Sequence, residues 1–324
     1  MAMRIRRILV AIKDPKRPPR AQLRKAATLA RASGATVELF HTISIDEVAH
    51  EMRGERTERS SAEIMDSIAA EMTRRLERLA RPVAARGVRV VVRPSWDYPP
   101  HEAVIRHATA SRADLVIAAA QPARAAGRLF LANTDWELIR RCPLPVLIVK
   151  SSGDYRSPAL VAAVDPFHAH AKPAKLDQRI LAAGDAIRRL LKGTLDIFHA
   201  YLPLPMVVAS PGGSLGMELP PEWEDVHTAQ VDRTFQKLAQ TAHIPAERRH
   251  LHMGVTQDEL GAVARRLRAK IIVMGGVSRS ALKRALIGNT AESVLDNVGC
   301  DVLVVKPAGF RSNIPRKVLH VRWP

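Results

Sequence analysis

Residues 269–276 read AKIIVMGG, and 156 positions earlier (269 − 113 = 156) residues 113–120 read ADLVIAAA. The same offset carries LFLANTDWELI (129–139) onto ALIGNTAESVL (285–295), and PVLIVK (145–150) onto the start of DVLVVKP (301–307), without a gap. Three blocks in one register mark a duplication, and a period this long is a whole domain rather than a solenoid unit. Upstream, ILVAIKDP (8–15) matches ALVAAVDP (159–166), which sets Asp14 opposite Asp165, and VELFHTI (37–43) matches LDIFHAY (195–201). Those offsets drift to 151 and 158, as changes of loop length would make them.

The 324 residues suit two domains of about 150 residues, each long enough to bury its own core. The linker-like SSGDYRSP (151–158) predicts a boundary, giving domains at 1–151 and 157–312 and a C-terminal tail at 313–324. Short β-branched runs alternate with helical segments in each half, which predicts an α/β fold of two tandem doubly wound parallel-sheet domains. Strands are expected near 7–13, 36–42, 88–93, 114–120 and 145–149, then near 159–164, 195–201, 248–253, 270–275 and 301–305. A helix over 57–80 places Ile64, Ile68, Met72, Leu76 and Leu79 in the core by their spacing, and one over 222–242 buries Val226, Phe235 and Leu238. The Pro/Gly-rich stretch 202–221, between the strand near 195–201 and the helix over 222–242, reads as a long mobile loop.

No apolar run reaches the ~18 residues of a membrane helix, and the basic, apolar start runs into Asp14 with no cleavage site. A cytoplasmic protein without a membrane partner is expected. Cys142 and Cys300 form no CxxC pair or disulfide framework, and packing is their expected role. The formal net charge of +18 attracts anions, yet the cations are scattered and aromatic residues make up only 4%. Specific nucleic-acid recognition is therefore not expected, while weak, salt-sensitive binding stays open. No GxxxxGK[ST], GxGxxG after a first strand, or GxSxG is present, so the signatures of the commoner phosphoryl, hydride and acyl transfers are missing.

Two domains of this type, an Asp closing the first strand, and a glycine-bearing loop before the last helix resemble the tandem members of the universal stress protein family, most closely their E-type. GNTAESVLDNVGCDVLVVKP (288–307) and NTDWELIRRCPLPVLIVK (133–150) carry the likeness most specifically. The resemblance implies a Rossmann-like fold in which the apolar last strands of the two domains pair edge to edge as an intramolecular pseudo-dimer. The family's nucleotide motif, Gly, two residues, Gly, nine residues, Gly and then Ser or Thr, falls on Gly275, Ser278, Gly288 and Asn289. Thr290, one place on, offers a hydroxyl. Repeat one carries Ala119, Pro122, Ala132 and Asn133 there, with every glycine gone. The resemblance thus implies a stress-response protein, not an enzyme, that binds ATP (or AMP or ADP) in domain 2 only, with domain 1 structural. Asp165 would sit near adenine or ribose, Ala200 would line the base pocket with Met274 and Gly275 flanking it, and Gly288 to Thr290 would meet phosphate beside Arg279 and Lys283. A nucleotide-free interaction scaffold, a weak ATPase and a nucleic-acid-associated protein remain alternatives, and protein partners and association of two chains stay open.

Other residues have plainer readings. Asn289 with Glu292, and Thr134 with Glu137, have the spacing of an N-cap and an acid three positions on. Asp14 and Asp165 each precede Pro and suit turns. His41 and His199 read as satisfied core or edge histidines, and His250 with His252, like His168 with His170, as exposed ones rather than metal ligands.

Overall fold

A computed structural model of the chain describes residues 3–43, 60–120, 133–167, 175–203, 220–276 and 289–316. The chain divides into two compact units: a first formed by Met3–Tyr155 with the described residues from Phe310 on, and a second formed by Arg156–Gly309.

In the first unit the chain runs β1 (Arg7–Ala11), α1 (Arg20–Ser33), β2 (Thr36–Thr42), α2 (Ser61–Ala84), β3 (Val90–Ser95), α3 (Pro100–Ala110), β4 (Leu115–Ala119), α4 (Asn133–Arg141) and β5 (Val146–Val149). Its strands lie in the order β3-β2-β1-β4-β5, parallel throughout. The second unit runs β6 (Ala159–Ala163), α5 (Leu176–Leu191), β7 (Thr194–Tyr201), α6 (Pro221–Thr241), β8 (Arg249–Met253), α7 (Thr256–Arg266), β9 (Ile271–Gly275), α8 (Asn289–Asn297) and β10 (Asp301–Val305). Its order, β8-β7-β6-β9-β10, is the same path, again parallel.

The central strands are buried on both faces, with Ile8, Leu9, Val10, Leu115, Val116 and Ile117 fully shielded, which is why they read as apolar runs instead of alternating ones. The edge strand β3 accommodates Pro94, which a central strand would not, since proline cannot donate to a ladder. Along α2, Ile68, Met72, Leu76, Leu79 and Val83 are buried at steps of three and four. Ile64 is half-buried, packed with Trp96 against Ile43, Ile68 and Met72. The helix opens on a capping box: Ser60 N donates to Glu63 Oε2 (2.8 Å) and Glu63 N to Ser60 Oγ (3.3 Å).

Three expectations, those for Val226, Leu238 and Thr134, are corrected. Val226 is 61% exposed, because α6 buries Val231, Phe235 and Ala239, a stripe at steps of four that leaves position 226 well round the helix; Leu238 is only half-buried. Helix α4 already includes Asn133, so Thr134 lies inside the first turn and does not cap it. Glu137 instead pairs with Arg140 (3.3 Å) and Arg141 (2.5 Å). The stretch read as a mobile loop lies at 204–219 outside the described residues.

The one-residue drift in the upstream repeat also changes meaning. Ile8 pairs with Val37 and Leu115, and Leu160 pairs with Leu195 and Ile271. With β2 and β7 offset by 158 and β4 and β9 by 156, Ile8 therefore corresponds to Leu160, an offset of 152. Asp165 thus stands where the first unit has Lys13, not Asp14. Ladder bonds agree, since Ile12 N donates to Phe40 O (2.8 Å) and Val164 N to Phe198 O (3.0 Å). Asp14 makes a local turn, accepting from Lys16 N at 2.8 Å.

Candidate functional site

A doubly wound sheet leaves a crevice where the connections from two neighbouring strands depart in opposite directions, at their carboxyl ends. In the second unit that point lies between β6 and β9. The register Ala162↔Val273 and Ala163↔Phe198, continued past the ends of the ladder, brings Val164 level with Gly275 and Asp165 level with Ala200. Asp165, Met274 and Gly275 thus come together on adjoining strands, with Ala200 on the far side of β6. Ala200 and Met274 are buried, Asp165 is half-buried, and its N–H donates to Asp177 Oδ1 (3.1 Å) in the first turn of α5. Asn289 and Thr290 are the first residues of α8, whose amino end carries a partial positive charge and free N–H groups. Ser278 and Gly288 lie outside the described residues.

Gly275 has a packing reason of its own. A Cβ there would stand 2.7 Å from Leu176 Cδ2 and 3.4 Å from Ile180 Cδ1, so the absence of a side chain lets α5 lie close on β9. Beyond it, Gly276 O accepts from the buried Lys306 Nζ (2.6 Å), and Lys306 O accepts from Arg179 Nε (2.8 Å).

In the first unit the corresponding point, between β1 and β4, carries polar groups that bond to one another and to the strands. Lys13 Nζ donates to Asp135 Oδ2 (2.5 Å), and Asp135, in the first turn of α4, is fully buried. Gln22 Nε2 donates to Ala11 O (3.0 Å) and Ile117 O (2.9 Å), one carbonyl from each strand. At the matching places the second unit has Asp165 for Lys13, Ala291 for Asp135 (offset 156) and the buried Ile180 for Gln22 (offset 158). A cation, an anion and an amide have become an anion and two apolar residues. The sequence offered little signal for this: Gln22 and Lys25 are buried polar residues on α1, and on a helix such residues ordinarily read as solvated.

The histidines fall into two classes. His41 and His199 are buried, with Nδ1 on Ile12 O (2.8 Å) and Val164 O (3.0 Å), and they tie the end of the first strand of each unit to the second. His250 and His252 correct the expectation of exposed rings. His250 Nε2 meets Asp196 Oδ1 (2.8 Å) while Arg266 donates to its Nδ1 (3.2 Å), and His252 Nδ1 meets Glu259 Oε2 (2.7 Å). On a strand beside other elements, their partners come from β7 and α7, which lie within reach only after folding. Among the described residues no group of three or more His, Cys, Asp or Glu suits a metal ion; His168 and His170 lie outside them. In the first unit Glu38, the counterpart of Asp196, is 2% exposed. Burial pushes its carboxyl upward, but hydrogen bonds and charges from His107 and Arg7 outweigh that and hold it below its ordinary value.

Comparison with known proteins bears on both units. The model of the universal stress protein family matches residues 4–150 and 172–306. Proteins named universal stress protein E from Photorhabdus laumondii and Escherichia coli K12 are each 25% identical over 312 and 315 residues, covering 94% of this chain and 96% of their own. A putative universal stress protein from Pseudomonas aeruginosa UCBPP-PA14 superposes with a TM-score of 0.70 at 25% identity, covering 94% of each chain. One from Archaeoglobus fulgidus, at 15% identity, shares the fold with a TM-score of 0.63 over 92% of this chain and 98% of its own. No helix among the described residues is long and apolar enough to cross a membrane.

Proposed function

The chain belongs to the universal stress protein family, with two family domains in tandem, and on that premise we propose that its second unit binds an adenine nucleotide, ATP or else AMP or ADP, while the first unit is structural. The observation that carries this reading is the opposite chemistry of the two crevices. In the first unit the Asp135 carboxylate occupies the amino end of α4 and the Lys13 ammonium neutralises it. A phosphate arriving there meets a buried anion. In the second unit Ala291 carries no charge at that turn, so the N–H groups and dipole of α8 are available to phosphate. Asp165, an acceptor at the end of β6, suits a ribose hydroxyl or the amino group of adenine, and Ala200 and Met274 give the base an apolar bed.

Binding in this reading biases conformation or partner choice and drives no turnover. The test is calorimetric titration of ATP, ADP and AMP into the nucleotide-free protein, with Asp165→Ala beside it. One site per chain, weakened at least tenfold by the substitution, is expected. An interaction scaffold is the second reading, favoured by the packing role of Gly275 against Leu176; absence of binding in the parent protein would establish it over the nucleotide reading.

A further inference from the structure

At the opposite end of the strands, the amino edge of the first unit, the fold gathers arginines that are far apart in sequence. Arg4 and Arg6 precede β1, Arg31 lies in the last turn of α1 ahead of β2, Arg86 and Arg89 precede β3, and Arg112 precedes β4. All six are exposed. The ladder sets them side by side: Arg6 O accepts from Thr36 N (2.9 Å), Arg89 O accepts from Val37 N (2.9 Å), and Asp114 Oδ2 accepts from Arg6 N (2.7 Å) and Arg7 N (3.0 Å). Four neighbouring strand heads, spaced about 4.8 Å apart, make a row about 14 Å long.

The acids of this edge are already engaged. Glu38 is buried and holds Arg7 (3.2 Å) and His107 (2.8 Å), while Asp114 takes the two backbone N–H groups. Among the described residues none of the six guanidinium groups pairs with a carboxylate. Offsetting helix dipoles accounts for Arg31 and for Arg86 and Arg112, each one residue past a helix cap, but not for Arg4, Arg6 or Arg89. Arg112 sits at φ 54°, and its counterpart in the second unit, Arg268, at φ 49°. Glycine is the cheaper residue in this left-handed region, yet both repeats place an arginine there. Lys192 of the second unit does likewise at φ 53°, where the first unit has Gly34 at φ 71°.

We propose that this arginine row is a docking surface for the sugar-phosphate backbone of double-stranded nucleic acid, bound without regard to base sequence. Guanidinium groups match phosphate oxygens in a planar, two-pronged geometry. The exposed large aromatic side chains among the described residues are Tyr98, past the carboxyl end of β3, and Trp223, in α6 of the second unit, so this face lacks the stacking platform that unpaired bases use. This surface belongs to the first unit and the proposed nucleotide crevice to the second, so it stands whether or not that crevice binds.

The test is fluorescence anisotropy with a labelled DNA duplex of roughly 20 base pairs, titrated between about 50 and 200 mM salt. The parent protein should bind with a steep salt dependence. Changing Arg6, Arg31, Arg89 and Arg112 together to Gln should flatten the log–log slope by about 3.6, at about 0.9 per lost phosphate contact. A charge-matched control with Arg74, Arg78, Arg233 and Lys237 changed to Gln, all exposed on α2 and α6, should move it by less than about 1. The four-fold Arg→Lys variant should keep most of the slope, and thermal melting by circular dichroism checks that each variant folds. The proposal is overturned by no binding at low salt, by an equal loss in the control, or by tighter binding to a single strand of the same length. Tighter binding to phosphatidylserine vesicles overturns it in favour of a lipid surface.

Discussion

The two crevices differ more than the two folds that carry them. Both units thread five parallel strands in one order, and both bury the same face of the last helix, Leu138 and Ile139 in α4 and Val294 and Leu295 in α8. At the carboxyl end of the first strand, however, one unit has Lys13 bridged to Asp135 and the other has Asp165, with Ala291 at the position of Asp135. Packing constrains the shared part, because a core position tolerates little change in volume. The crevice is free of that constraint, so one copy can satisfy its polar groups internally while the other carries a different set.

The most drastic way to break the comparison is to move one crevice into the other. Changing Asp165→Lys together with Ala291→Asp should place the first unit's ion pair in the second and weaken ATP by at least about a hundredfold, roughly 2.7 kcal/mol, as read by calorimetry; unchanged affinity would show that the pair does not decide occupancy. In the first unit, Asp135→Ala strands the Lys13 ammonium and should cost about 3 kcal/mol in urea unfolding. The double change Lys13→Met and Asp135→Leu should cost less than that single one, and a larger loss would mean the pair stabilises outright. Gly275→Ala, which presses on Leu176, should cost about 1–2 kcal/mol, against about 0.5–1 kcal/mol for its counterpart Ala119→Gly; equal effects would remove the packing account of the glycine.

The smallest effect separates the acids of the second strands. The folded state holds the Glu38 carboxyl below its reference of 4.5, so its ionised form is favoured by folding. That contribution is complete above about pH 4.5 and is lost as pH falls through the lowered value. Glu38→Gln should therefore flatten the acid limb of the stability curve below that pH while lowering stability at neutrality. An acid limb identical to that of the parent would exclude Glu38 as its source.

Much of the fold was legible because its signals are local. Runs such as ILVAI and DVLVV announce buried strands, the steps of three and four from Ile68 to Leu79 announce a helix, and an offset of 156 announces two copies. Val226 was misjudged since a nine-residue step from Phe235, at about 100° per residue, leads to the opposite side of the helix, whereas the stripe through Val231, Phe235 and Ala239 is set by what α6 lies against. The candidate site was legible in outline alone. Asp165 and the start of α8 stand out by their place beside glycine and proline, but aligning Asp14 with Asp165 by their shared Asp-Pro was wrong by one residue. A loop can gain a residue without leaving a trace in composition, and strand register is settled by hydrogen bonds to neighbours.

By itself the sequence determined the duplication, the alternation of strand and helix, the excess of positive charge and the family, because each is written in spacing or composition along the chain. Only the tertiary structure decided that Lys13 meets Asp135, 122 residues away, that Gln22 reaches Ile117, 95 residues away, and that six scattered arginines share one edge. In a parallel sheet every strand begins at the same end and the helices return the chain to it, so residues distant in sequence meet at strand heads and strand ends. Which of them meet is fixed by register and crossover, and neither can be read along a single line of residues.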